Sequence, residues 1–221
     1  MTRQTSMGIR QLAVWAGVIG PILFIAIFTV EGFLRSDYNP ISTYISDLSI
    51  GPRGIIQIVN FFIFAALFFI FSYGLSLEYR TRNQSLNGPR ILMLMAILFF
   101  LTGIFVTDPI HTPLFEMTWQ GIVHNIIGFI IFSLFPISCY VFWRAFREHD
   151  EWKSFQKPTL VVGVMITVGL LAFAVALIGM VLTPNALTDY IGLIQRIDII
   201  TFLLWVVALA WNYRKHLHPQ L

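Results

Sequence analysis

Chemistry in this chain is confined to a few polar side chains set among long apolar runs. His124 lies inside one such run, and Asp37, Asp47 and Asp108 fall near the ends of neighbouring ones. One imidazole with two or three carboxylates has the makings of a metal site, or of a general base oriented by an acid. The spacing gives a metal little support, since neither H-x-x-x-H nor H-E-x-x-H occurs, and no metal ligands are assigned. Ser42, Ser46 and Ser49 stand beside Asp47 without the G-x-S-x-G elbow of a serine hydrolase. The catalytic candidates are therefore His124 with Asp47 or Asp108, and whether the chain is an enzyme stays open at this point.

Charges inside apolar runs need partners or a purpose. Glu31 and Asp108 come at the C-terminal ends of their runs and Arg196 in the first turns of the last one, each with the wrong sign for its own helix dipole. The simplest expectation is that they hold one another, with Arg35, Arg53 and Asp198, in a cluster of ion pairs. A ligand-binding set drawn from this material contains Arg35, Asp37, Asn39, Ser46, Asp47 and Arg53 from one inter-helix stretch. From the helices it adds Gln57, Asn60, Asp108, His124, Gln195, Arg196 and Asp198.

That inter-helix stretch, Gly32 to Gly54, holds Arg35, Asp37, Asp47 and Arg53 in a protein only 11% charged. Asn39 and Pro40 suit an N-cap and a first helical position. Ile41, Tyr44, Ile45 and Leu48 then recur at i, i+3, i+4 and i+7, with Ser42, Thr43, Ser46, Asp47 and Ser49 opposite. The pattern predicts a short amphipathic helix over residues 40–49, stopped by Gly51-Pro52.

The elements that position these groups follow from composition. At 57% hydrophobic residues and a mean hydropathy of +0.78, the chain lies far from soluble domains, in which about a quarter of residues are charged. It is expected to be an all-α integral membrane protein forming one domain over residues 1–221, with six transmembrane helices at 12–33, 54–77, 91–106, 119–143, 158–182 and 191–211. The basic N-terminus runs into the first span without a small-residue cleavage site and reads as a retained signal anchor.

Eleven of the 14 Lys and Arg residues fall on the side of the two termini and three, Arg35, Arg53 and Arg196, on the other. The positive-inside rule then puts both termini in the cytoplasm and the 32–54 stretch outside the cell membrane. The cations flank spans and form no nucleic-acid face. Cys139, the one cysteine, lies inside a span, so no thiol-redox pair exists. No mid-span lysine, paired mid-membrane histidines or Walker motif points to retinal, haem or nucleotide, and the cofactor is left unknown.

The even-numbered spans share a pattern at their outer ends: Gly54-I-I-Gln57, Gly121-I-V-His124 and Gly192-L-I-Gln195. Three tandem helical hairpins account for it, with Gln57, His124 and Gln195 at one depth and Asn60 and Asp198 about one turn deeper. Ala13/Gly17, Ala16/Gly20 and Ala172/Ala176 have the four-residue spacing of close helix packing.

The segments D-Y-N-P-I-S-T-Y-I-S-D-L-S-I-G-P-R-G-I-I-Q-I-V-N-F, G-I-F-V-T-D-P and G-I-V-H-N-I-I-G closely resemble the bacterial and archaeal six-helix membrane proteins classed as domain of unknown function 998. This resemblance covers essentially the whole chain and implies a fold without an activity. A weaker likeness links Ser46, Asp47, Pro52, Asn60 and His124 to the Frag1/DRAM/Sfk1 family, and implies a lipid-facing role. Three functions are expected to compete. The first is binding of a membrane-lipid head group in an outward polar pocket by Asp47, Asp108, His124 and Arg196. The others are lipid hydrolysis or transfer through His124 and a carboxylate, and a structural or accessory role.

Overall fold

The computed structural model describes residues 3–182 and 186–216. Six helices, each long and apolar enough to cross a membrane, account for the fold, with no strand among the described residues. They are α1 (Arg3–Leu34), α2 (Gly54–Thr81), α3 (Asn87–Ile104), α4 (Trp119–Arg147), α5 (Lys153–Val181) and α6 (Ile191–His216). The fourth span's start coincides with its sequence reading, whereas α3 begins four residues before 91 and ends two before 106. Residues 183–185 of the last turn, and the tail with His218, lie outside the described residues.

Each helix packs on its neighbour in the chain, and α6 closes back on α1. The centre of this ring is filled by phenylalanine. Phe24 of α1 meets Phe64 of α2 and Phe99 of α3 at centroid distances of 4.8 and 6.1 Å. Phe202 of α6 stacks on Phe135 of α4 at 4.2 Å and meets Phe68 of α2 at 6.4 Å. With the middle closed by rings, polar chemistry is left to the two ends. The small residues of α1 work as their spacing predicts: Gly17 lies against Phe71 of α2 and Ala210 of α6. α5 is the outlier, with 17% of its span buried against 44% or more of each other span.

The stretch between α1 and α2 does not form the amphipathic α-helix that its spacing predicts. Asn39 does cap a turn, its Oδ1 accepting from Ile41 N (2.9 Å) and its carbonyl from Thr43 N (2.9 Å). Only a 3-10 turn over Ile45–Ser49 follows. The reason is competition from α6. In an α-helix Ile45 N–H would donate to Ile41 C=O. Here Ile45 N donates to Gln195 Oε1 (2.8 Å), and Ile41 O accepts from Leu193 N (2.8 Å). Ile45, Asp47, Leu48 and Ser49 are all buried, so the supposed polar face is half inside. Gly51, at φ 80°, ends the segment as its Gly-Pro signal implies.

Candidate functional site

The 35–53 segment is a plug seated in the end of the bundle away from the termini. Arg35, one residue past α1, gathers its last turn: Nη1 donates to the carbonyls of Asp47 (3.4 Å), Leu48 (3.3 Å) and Ile50 (3.0 Å). Asp47 Oδ2 accepts from Ile110 N in the α3–α4 loop (3.1 Å). Tyr44 reaches α5, with its hydroxyl at Met180 Sδ (3.8 Å) and its ring against Phe173.

The repeated glycines explain how the plug and loops come so close. A Cβ on Gly54 would overlap the Ser49 carbonyl, one on Gly121 the Asp108 carboxylate, and one on Gly192 the Thr43 backbone. The polar residue one turn on then finds a different partner each time. Gln57 Oε1 accepts from Asn60 Nδ2 (3.2 Å), His124 Nδ1 lies 2.6 Å from Phe105 O, and Gln195 binds the plug.

The expected six-member ion cluster is not what the fold builds. Of its members only Glu31 and Arg53 pair, through Arg53 Nε (3.0 Å) and Nη2 (2.6 Å). Arg35 takes Asp37 instead, at 3.2 and 2.7 Å. Arg196 meets no carboxylate among the described residues; it donates to Thr43 O (2.8 Å), Gly192 O (2.9 Å) and the Tyr38 hydroxyl, and lies over the Tyr38 ring. Asp108 lies beyond α3 and turns to α4, accepting from Thr118 N (2.7 Å) and from the Thr118 hydroxyl (3.0 Å). Thr118 is the N-cap of α4. The Asp108 charge therefore sits at a helix N-terminus, where its sign is favourable.

His124 likewise has a backbone carbonyl, and no carboxylate among the described residues, at its bonded nitrogen. Asp47, Asp108, His124 and Arg196 are thus bonded to separate neighbours, namely Ile110, Thr118, Phe105, and Thr43 with Gly192 and Tyr38, and no two of the four bond each other. Ser46 supports the plug through its carbonyl, which accepts from Ser49 Oγ (2.6 Å). Among the described residues no group of three His, Cys, Asp or Glu is placed to hold a metal.

Four buried atoms at this end have no hydrogen-bond partner: Asp47 Oδ1, Gln57 Nε2, Asn60 Oδ1 and Asp198 Oδ2. Burial pushes the Asp47 carboxyl up to about 7, against the opposing pulls of Ile110 N–H and Arg35. Hydrogen bonding to Arg35 holds the exposed Asp37 below the usual carboxylate range.

Beside the plug, Leu34, Arg35, Ser36, Asp37, Pro52 and Arg53 line an open cleft of about 220 Å³. Arg53 is half exposed there, and its Nη1 makes no bond among the described residues. Phe33 and Leu34 next to it are 81% and 62% exposed. Sequence spacing flagged Arg35, Asp37 and Arg53 but not Leu34, Ser36 or Pro52. The pairing of residues 34–37 with 52–53 depends on the plug folding back, and only the charge density of the stretch hinted at it.

Six apolar helices in a closed ring, capped by a buried inter-helix plug, define a multi-pass integral membrane protein. The chain belongs to the family described as "Protein of unknown function (DUF998)", whose model matches residues 18–212. Comparison with curated proteins and with solved structures found no match.

Proposed function

We propose that this protein binds the head group of a membrane lipid in the cleft between residues 34–37 and 52–53, at the outer leaflet of the cell membrane. The observation that carries the reading is Arg53. It is a half-exposed guanidinium whose fork is fixed by Glu31 and whose remaining nitrogen is free. A guanidinium held this way is preorganised for a phosphate oxygen. Asp37, with its side chain 68% exposed on the same cleft, offers a carboxylate to an amine. A phosphate carrying an ammonium group matches this lining better than a bare anion does. Phe33 and Leu34, exposed alongside, suit the acyl chains. The outward orientation rests on eleven cations at the terminal end against three at the plug end.

The hydrolase reading asks for His124 within reach of a carboxylate. The bond from its ring to Phe105 O gives that reading no support.

The test is retention of a zwitterionic phospholipid by purified protein, followed by native mass spectrometry. Arg53→Lys keeps a cation for Glu31 but removes the guanidinium nitrogen that Glu31 leaves free and the planar fork that fixes it. It is expected to weaken binding about tenfold, roughly 1.4 kcal/mol. Lys153→Gln at the other end should leave binding unchanged. Equal retention by Arg53→Lys and the unaltered protein would remove the cleft as the site.

A further inference from the structure

Asp198 stands outside the cleft and outside every ion pair. It lies about 10 Å below the start of α6 at 1.5 Å per residue and is 2% exposed. Its carboxylate presses on Gly169 of α5 so closely that a Cβ there would overlap Oδ1. Oδ2 has no hydrogen-bond partner.

Among the described residues the surrounding elements bring no counter-charge. α5 has no titratable side chain from Ile166 to Met180. Arg196, two residues away on α6, is turned to Tyr38, Thr43 O and Gly192 O. From the plug, the Tyr44 hydroxyl is at Met180 and Asp47 is bound to Ile110 N. Glu31 of α1 is taken by Arg53, and His124 of α4 is bonded to Phe105 O.

An ionised carboxylate with neither a cation nor a full set of donors is strongly disfavoured in an apolar bundle, whereas the neutral acid is tolerated. A bound metal cation would call for several ligands, and no three-residue group of acids, histidines or cysteines capable of holding one occurs among the described residues. We propose that Asp198 is a proton-binding site, carrying its proton at neutral pH within the α5–α6 contact. Binding joins one proton to one carboxylate oxygen, and release requires α5 to move off the acid. α5 is the helix best suited to such movement, being the least buried of the six. The inference is independent of the head-group reading, since the cleft and Asp198 share no residue.

The test is an infrared difference spectrum between the protein and Asp198→Asn, both in lipid at neutral pH. A carboxylic-acid carbonyl band present in the protein and lost in the variant is expected. Carboxylate bands in its place would overturn the proposal. If Asp198→Asn does not fold, the unaltered protein is treated with dicyclohexylcarbodiimide, which adds the acid O–H across a C=N bond and rearranges to an acylurea. Peptide mass analysis is expected to find the adduct on Asp198 with or without sodium. No adduct, or an adduct suppressed by sodium, which would mark a cation site, overturns the proposal.

Discussion

The two ends of the bundle treat buried acids in opposite ways. At the terminal end Glu78, 4% exposed, sits between Arg10 (2.9 Å) and Arg82 (2.6 Å). Arg82 also meets Glu151 (3.4 Å), to which Gln84 donates (3.0 Å). At the plug end Asp47 and Asp198 are as deeply buried, yet no arginine pairs with either carboxylate and each has an oxygen without a partner. Buried atoms without a hydrogen bond occur at both ends, the Tyr79 hydroxyl, Gln84 Oε1 and Glu78 Oε2 (which is ion-paired with Arg10) among them, so unsatisfied atoms alone do not separate the two. Charge does. A fold able to neutralise Glu78 twice over has left two acids without a paired cation among the described residues, Asp47 within the plug and Asp198 beneath it. One end is a staple that joins α1, α2 and the α4–α5 connection, while the other keeps groups whose state can change.

The largest effect that would break this contrast is loss of the staple. Arg10→Ala combined with Arg82→Ala leaves Glu78 buried without a cation and is expected to destabilise the protein by about 3–5 kcal/mol. Thermal unfolding in detergent measures it, and a near-neutral result would deny the staple its role. A smaller effect is expected at the plug. Gly54→Ala puts a methyl group into the Ser49 carbonyl, for a cost of about 1–3 kcal/mol. Hydrogen exchange should rise in residues 41–50 with little change around Glu78. A uniform rise in both regions would count against an independent plug.

A third effect sharpens the contrast through pH. Burial raises the Asp47 carboxyl from 3.8 to about 7 in the folded protein. Between those values the folded state holds a proton that the unfolded chain has released, so this contribution to stability is full below about pH 4 and is lost as pH rises through 7. Asp47→Asn cannot titrate, so its unfolding temperature should fall less across that window. An unchanged slope would show that Asp47 is not the group responsible.

Most of the architecture was legible because apolar length alone specifies a membrane span. The Gly54, Gly121 and Gly192 pattern was legible as a repeat, and the structure supplies its cause: a loop or plug atom lies where each Cβ would be. The rule that misplaced charges need partners also held for Glu31, although it could not name Arg53 over Arg196. Partner choice depends on where the chain folds back between α1 and α2, which local spacing does not encode. The plug itself was misread for the same reason. Ile41 and Ile45 have perfect helical spacing, but Leu193 and Gln195, some 150 residues away, take the two groups that would have closed the turn. Asp108 misled through its position at the end of a span, since the helix that it serves is the next one.

Head-group binding in the cleft depends on Arg53, and a high-resolution structure of the protein purified in native lipid tests this most directly. The expected result is phosphate density within hydrogen-bond reach of Arg53 Nη1, with acyl chains running past Leu34 and Phe33. An ordered cleft holding no lipid, with head-group density bound elsewhere on the protein, would contradict it.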